Sequence, residues 1–168
     1  MSDVVFNDKA FLVNFLYSLL DNPTKIKVQK TLYLLYAFYG ATYGNLNADG
    51  EENEFSNHSY PKRLFNANFE AWRYGPVESE VYGTEKSGRY SAQILATEDV
   101  DTFFNTAELR NIREFIENIA SQTNNIDDFS LVDRTHQDNV WLNKYKEGER
   151  HIQMDNDEIV QEYIKRYV

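Results

Sequence analysis

The chain has 168 residues, a length typical of one domain that can bury its own core. Its 27 acidic and 17 basic residues give a net charge of −10, which argues against a general nucleic-acid-binding protein, because such proteins neutralise phosphates with basic side chains. The same charge argues against docking on anionic lipid. The chain has no cysteine, which excludes disulfides, cysteine-ligated metals and cysteine nucleophiles and fits a reducing cytoplasm.

The N-terminal residues have neither the basic region nor the apolar run of a signal peptide, and no apolar stretch is long enough to span a membrane. We therefore expect a cytoplasmic protein with no membrane contact. The 25 aromatic residues (12 Tyr, 11 Phe and 2 Trp) indicate a folded chain, since disordered chains are poor in aromatics. Only 7 Gly and 3 Pro punctuate it, which favours helices.

Two helices are predicted in the first quarter of the chain. Asn7 is expected to cap the first, and an apolar stripe follows at helical spacing, consisting of Phe11, Leu12, Phe15, Leu16, Leu19 and Leu20. Thr24 is expected to cap the second, which runs to about Gly40 or Gly44 and is apolar on nearly all sides, a pattern typical of a central buried helix. Its first turns differ because they carry polar side chains, Lys25, Lys27, Gln29 and Lys30.

The next segment combines a polar loop with a predicted β-hairpin. Residues 45–57 are rich in Asn, Asp, Glu and Gly, which indicates an exposed loop. Residues 64–65 and 69–74 are expected to pair as strands around a turn at 66–68, with Phe69 and Ala71 on one face and Trp72 and Tyr74 on the other. Gly75 and Pro76 should end the strand, with Pro76 in the first turn of a short helix ending near Gly83 or Gly88.

The C-terminal half is predicted to be helical. Asn105 to Glu108 resembles a capping box before an amphipathic helix, two short helices are expected over 129–136 and 139–145, and Asp155 with Glu158 should cap the last helix. The run from Asp99 to Asp101 is interpreted as a solvated loop. The fold class is therefore mainly α (α+β), a single compact helical domain over residues 1–168 with a small β-hairpin.

Charge is unevenly distributed along the chain. Residues 61–95 carry 5 basic and 4 acidic side chains, a sum of +1, whereas residues 96–168 carry 8 basic and 16 acidic ones, a sum of −8. The predicted hairpin region is thus nearly neutral and aromatic, which is typical of a surface that binds another protein.

Signatures of catalysis are missing from the sequence: it contains no Gly-rich phosphate loop, no nucleophile elbow and no paired-histidine metal motif. Asp133 and His136 could start a metal site at i, i+3 spacing, or Asp133 could orient the imidazole by a hydrogen bond. No third ligand is apparent. We therefore predict no catalytic residue, no metal and no cofactor.

Three segments together resemble the Panacea domain, also called the SocA-like antitoxin domain. They are residues 27–33, residues 69–77 with 80–82, and residues 131–136 with Trp141, and the aromatic second segment with Gly75 and Pro76 is the most specific. The resemblance extends from about residue 8 to residue 167. Val28 and Thr31 depart from it, because leucine is frequent at those positions.

The resemblance implies a mostly helical domain with a small β element and no enzymatic activity. Its members are antitoxins of bacterial and prophage toxin–antitoxin pairs, which neutralise a partner toxin by binding it directly. No additional DNA-binding region is present, so direct nucleic-acid binding is not expected. Among the motif residues, we assign six to partner binding: Lys30, Glu70, Arg73, Tyr74, His136 and Trp141.

Other interpretations of the same residues stay open. The motif residues could be a fold signature, with Trp72 in the core and Gly75 and Pro76 shaping a strand-to-helix turn, while recognition lies in residues 45–60 and 90–104. Besides an antitoxin, the sequence allows an adaptor that delivers a partner to a protease, since its neutral and acidic parts could form two binding surfaces. It also allows a phage-encoded inhibitor of a host defence protein, because its net charge is −10.

Overall fold

A computed structural model describes residues 3–46, 60–87 and 95–168. Helices make up 60% of it and are accompanied by two small two-stranded sheets, which confirms the mainly α class. The loop predicted at 45–57 lies almost entirely outside the described residues, as does Gly88. The helices are Lys9–Leu19 (α1), Lys25–Ala41 (α2), Ser79–Lys86 (α3), Thr97–Phe103 (α4), Ala107–Asn124 (α5), Asp128–Thr135 (α6), Asn139–Leu142 (α7) and Asn156–Tyr167 (α8), with a 3₁₀ turn at Tyr43–Asn45. The strands are Val4–Phe6 (β1), Arg63–Phe65 (β2), Phe69–Trp72 (β3) and Gly75–Glu78 (β4).

Helix α2 lies at the centre of the fold, as its all-round apolar pattern predicts. It packs against α1, α5, α6 and α8, and both sheets contact it. Its tyrosines at positions 33, 36 and 39 are almost fully buried. The polar side chains of its first turns are also buried at Lys27, Gln29 and Lys30, so these residues need partners inside the protein.

Two of the four predicted helix caps are confirmed and two are wrong by one residue. Thr24 accepts a hydrogen bond from the backbone of the third residue of α2, and Asp155 caps α8. The first helix is capped by Asp8 rather than by Asn7, and α5 by Thr106 rather than by Asn105. Because Thr106 is the cap, the neighbouring glutamate falls one position too early to close a capping box.

The predicted hairpin has the wrong strand pairing. Strand β2 pairs in parallel with β1, with Val4 opposite Arg63, so residues 66–68 are a connection between two sheets. The antiparallel hairpin is formed instead by β3 and β4, with Trp72 opposite Gly75. Gly75–Glu78 is therefore a strand, and Pro76 does not begin a helix.

The predicted loop around Asp99 to Asp101 is also wrong, since these residues belong to α4. The reason lies in the apolar side chains around them. Val100 is buried, and the ring of Phe103 stacks on those of Phe6 and Phe11 at centroid distances of 5.1 and 4.7 Å. The helix thus closes an aromatic cluster against α1 and β1.

A buried carboxylate joins α2, α6 and α8. Asp138 is fully buried, and its Oδ2 accepts hydrogen bonds of 2.6 Å from the hydroxyl groups of Tyr33 and Tyr163. Its Oδ1 accepts one of 3.0 Å from Arg134. The charge is thus paired and its oxygens are hydrogen-bonded, which is the condition for burying a carboxylate.

Candidate protein-binding site

Both edges of the β3–β4 hairpin are covered. On the β3 side, the backbone N–H of Ala71 donates to the carbonyl of Ile152 (2.8 Å), and that of Met154 donates to Phe69 (2.9 Å). On the β4 side, the side-chain amide of Gln29 pairs with both backbone groups of Glu78, at 2.8 and 3.2 Å.

The remaining outward positions of β4 are satisfied as well. Pro76 has no backbone N–H, and its carbonyl accepts a hydrogen bond of 2.9 Å from Nζ of Lys30. No outward backbone group of β4 is therefore left to pair with another strand, so a partner that added a strand here would have to break these bonds.

The tip of the hairpin, Arg73 and Tyr74, is held through backbone carbonyls. The indole Nε1 of Trp141 donates to the carbonyl of Trp72 (2.8 Å), and Nε2 of His136 lies 3.0 Å from the carbonyl of Arg73. A carbonyl only accepts, so the imidazole carries a proton on Nε2. Trp141 lies on α7 and His136 directly follows α6, so side chains from two other parts of the fold hold the tip in a fixed position.

Gly75 allows this close approach. It has φ +103°, and a Cβ added there would lie 2.5 Å from Oγ1 of Thr135 and 3.1 Å from Cε of Lys30. Arg73 and Tyr74 both have negative φ, so the positive φ that the turn needs is adopted by Gly75. Sequence and packing thus agree on glycine here.

Two groups beneath the tip have pKa values shifted by their surroundings. Burial lowers the pKa of Lys30 to about 7, because the ammonium has one carbonyl partner and no carboxylate within ion-pair distance in the described residues. Burial also lowers the pKa of His136, and the charge of Lys30 lowers it further, while Asp133 acts in the opposite direction.

Aromatic rings flank the tip. His136 stacks on Trp141 at 4.1 Å with an interplanar angle of 15°, and Trp141 stacks on Tyr145 at 4.9 Å. On β3, the ring of Trp72 meets that of Tyr82 edge-on at 4.7 Å. Trp72 is only half-buried, so the expectation that it lies in the core is wrong.

The other end of the hairpin is held by a fully buried carboxylate. Glu78 accepts hydrogen bonds from the first backbone N–H groups of α3, from the backbone of Asn68 and from Nζ of Lys9 (2.8 Å). It caps the helix and fixes the strand before it. Sequence reasoning assigned no such role to Glu78, whose only signal is a polar residue beside an apolar segment.

The six predicted partner-binding residues divide by exposure. Lys30, Glu70 and Trp141 are buried and His136 is half-buried, whereas Arg73 and Tyr74 are exposed. Five of the six meet around the tip. Glu70 lies apart on β3, where its Oε1 accepts a hydrogen bond from the Trp72 indole (2.9 Å) and lies 3.2 Å from Nδ1 of His151.

The structure places Asp133 and His136 on one face of α6 without a hydrogen bond between them. The described residues contain no group of three His, Asp or Glu side chains that could hold a metal ion. Within the same part of the chain, no helix is long and apolar enough to cross a membrane.

A scan of protein families matches residues 52–142 to the model described as antitoxin SocA-like, Panacea domain. This range covers just over half of the chain and includes the whole hairpin, α6 and Trp141, whereas the first resembling segment, 27–33, lies outside it. Neither a curated protein nor a solved structure matches the chain. On the family match, the chain belongs to the SocA-like Panacea antitoxin family.

Proposed function

We propose that this chain is the antitoxin of a toxin–antitoxin pair and neutralises a protein toxin by binding it directly. The observation that carries the proposal is the hairpin tip, where Arg73 and Tyr74 are exposed on a backbone held by buried side chains. The family match supports the antitoxin role, and the exposure of the tip supports its use as a contact surface.

The chemistry of the tip suits a binding centre. Tyrosine and arginine are enriched among the residues that dominate interface energies. Tyr74 is 49% exposed, and the guanidinium of Arg73 lies 5.5 Å from the centre of its ring. Because the backbone is fixed before binding, less conformational entropy is lost when a partner docks.

The supporting residues have a different role in this proposal. Lys30, His136 and Trp141 act on the partner through the backbone they position, and Glu70 does so by holding the indole of Trp72. The net charge of −10 would speed encounter with a basic toxin. The proposed activity needs no catalytic residue and no cofactor.

The test uses the product of the reading frame next to this gene. Expressed alone, that protein should arrest growth, and co-expression of this chain should restore it through a stable purified complex. Tyr74→Ala should raise the Kd about 30-fold or more, corresponding to about 2 kcal/mol. Tyr167→Ala is the matched control, since Tyr167 is 46% exposed and lies on α8.

Circular dichroism must first show that both variants are folded. A neighbour that arrests growth but forms no complex with this chain would refute direct neutralisation. A toxin whose cellular level falls on co-expression, and recovers when a protease is deleted, would favour the adaptor function instead.

A further inference from the structure

Helix α6 continues the surface of the hairpin tip. Phe129, Asp133 and His136, the residue that directly follows α6, lie at i, i+4 and i+7 and therefore share one side of the helix, beside Val132, which is buried. His136 contacts the tip at the carbonyl of Arg73. Phe129 lies seven residues earlier, about 10 Å along the helix axis.

Phe129 is exposed to an unusual degree for a phenylalanine. Its 65% exposure exceeds that of every other aromatic residue in the described ranges, and Tyr74 follows at 49%. Exposed apolar groups clustered on one side of a protein mark interaction sites more often than isolated ones do. Phe129 lies at the opposite end of α6 from His136, and His136 contacts the tip that carries Tyr74.

Two charges of opposite sign on this face have no ionic partner in the described part of the chain. Arg73 contacts the ring of Tyr74 but forms no ion pair, and the exposed side chain of Asp133 forms neither an ion pair nor a hydrogen bond. The nearby acidic groups are occupied, because Asp127 caps α6 and Asp128 accepts a hydrogen bond from Thr24.

We infer that the toxin-binding surface extends from the hairpin tip along α6 to Phe129, and that it takes a protein segment with a carboxylate opposite Arg73, a basic group opposite Asp133 and an apolar side chain against Phe129. The inference rests on the proposed antitoxin function and specifies the partner's contact surface. Charge order of this kind selects one partner and one orientation.

A second copy of the chain is the competing occupant, since two-fold symmetry could pair Arg73 of one copy with Asp133 of the other. The net charge of −10 on each copy opposes that association. Addition of a partner strand to the hairpin is opposed as well, because Gln29 and Lys30 occupy the edge of β4.

The experiment measures binding of the neighbouring gene's product to purified full-length variants by calorimetry. Arg73→Glu, Asp133→Lys and Phe129→Ala should each raise the Kd tenfold or more. Arg110→Glu is the matched control. This exposed arginine lies about 21 Å along α5 from Asn124, and Asn124 is the last residue of α5, four positions before α6 begins. It should change the Kd less than threefold.

Charge reversal in the partner gives the sharper readout. Replacing one acidic residue of the partner by lysine should lower the Kd for Arg73→Glu at least tenfold. The same replacement should not lower the Kd for Asp133→Lys. A photoreactive phenylalanine at position 129 should crosslink to the partner. The same group at position 167 should not, because Tyr167 bonds Arg134, which points about 140° around α6 from Phe129.

The outcomes separate the inference from the function it rests on. Growth rescue and tight binding with all three surface variants unaffected would overturn the inference and leave the antitoxin function intact. A wild-type chain that binds no neighbour would overturn both. A stable dimer of this chain alone, dissociated by Phe129→Ala, would assign the surface to self-association and also overturn the inference.

Discussion

The buried ammonium of Lys30 should make stability depend on pH in a way that one substitution removes. Burial lowers the pKa of Lys30 to about 7 in the folded chain, from 10.5 for an ordinary lysine. Between these values the unfolded chain binds the proton more tightly than the folded one. The free energy of unfolding therefore rises with pH across this window and falls as the pH decreases toward 7.

The magnitude follows from the two pKa values. Each unit of difference corresponds to 1.36 kcal/mol, so protonating Lys30 costs on the order of 4 kcal/mol of stability at pH 7. Between pH 7.5 and pH 9.5 the contribution should change by about 2–3 kcal/mol. Replacing the lysine by methionine removes this term, while leaving the carbonyl of Pro76 without its donor costs about 1–2 kcal/mol at every pH.

Urea unfolding of the wild type and Lys30→Met at pH 7.5, 8.5 and 9.5 tests this reasoning. The free energy of unfolding of the wild type, minus that of Lys30→Met, should increase by about 2–3 kcal/mol from pH 7.5 to pH 9.5. Tyrosine ionisation cancels in that difference, and burial raises the pKa of Tyr36 to about 12. Lys25→Met, at an exposed lysine of the same helix, should give a constant difference. A constant difference for Lys30→Met as well would refute the argument.

Three further substitutions test the packing around the site. Gly75→Ala should destabilise the chain by about 2 kcal/mol in urea unfolding, since its Cβ would lie 2.5 Å from Oγ1 of Thr135 at a positive φ; a loss below about 0.5 kcal/mol would contradict this. Asp138→Ala should lower the free energy of unfolding by about 3 kcal/mol or more and the Tm by about 6–12 °C, because two buried tyrosine hydroxyls and an arginine lose their acceptor. An unchanged Tm would show that the network is dispensable. Gln29→Met should accelerate hydrogen exchange at the Glu78 amide, which loses its acceptor; unchanged protection would argue against this edge contact.

Sequence patterns predict the helical part of the fold well because its information is local. Helix α2 is apolar on nearly all sides, and α5 and α8 each carry a single apolar stripe, so their burial follows from periodicity alone. The parallel pairing of β1 with β2 joins residues 59 positions apart, such as Val4 and Arg63, and three-residue strands give little local signal.

The hairpin register shows what local patterns miss. Residues 66–68 have the composition of a turn, whereas the true loop, Arg73 and Tyr74, has none of the usual turn residues. The register is fixed instead by contacts from distant elements, such as the hydrogen bond from Lys30 to the carbonyl of Pro76 and the approach of Thr135 to Gly75. Those contacts become visible only when α2 and α6 are placed beside the strands.

The sequence predicts the candidate site only as a set of residues, because the separate roles of these residues depend on burial. Lys30 and Arg73 are both basic, and both lie in segments that carry the family resemblance. Nothing in the sequence shows that Lys30 is 1% exposed whereas Arg73 lies on the surface. The structure assigns the first to positioning the hairpin and leaves the second accessible.

The way the tip is held separates support from recognition. Trp141 and His136 bind carbonyl oxygens, which every amino acid at positions 72 and 73 would provide. The side chains of Arg73 and Tyr74 can therefore change without removing a bond that fixes the backbone. Substitutions at these two positions should alter partner choice with little effect on stability, whereas substitutions at Lys30 or Trp141 should change both, because they move the backbone that carries the tip.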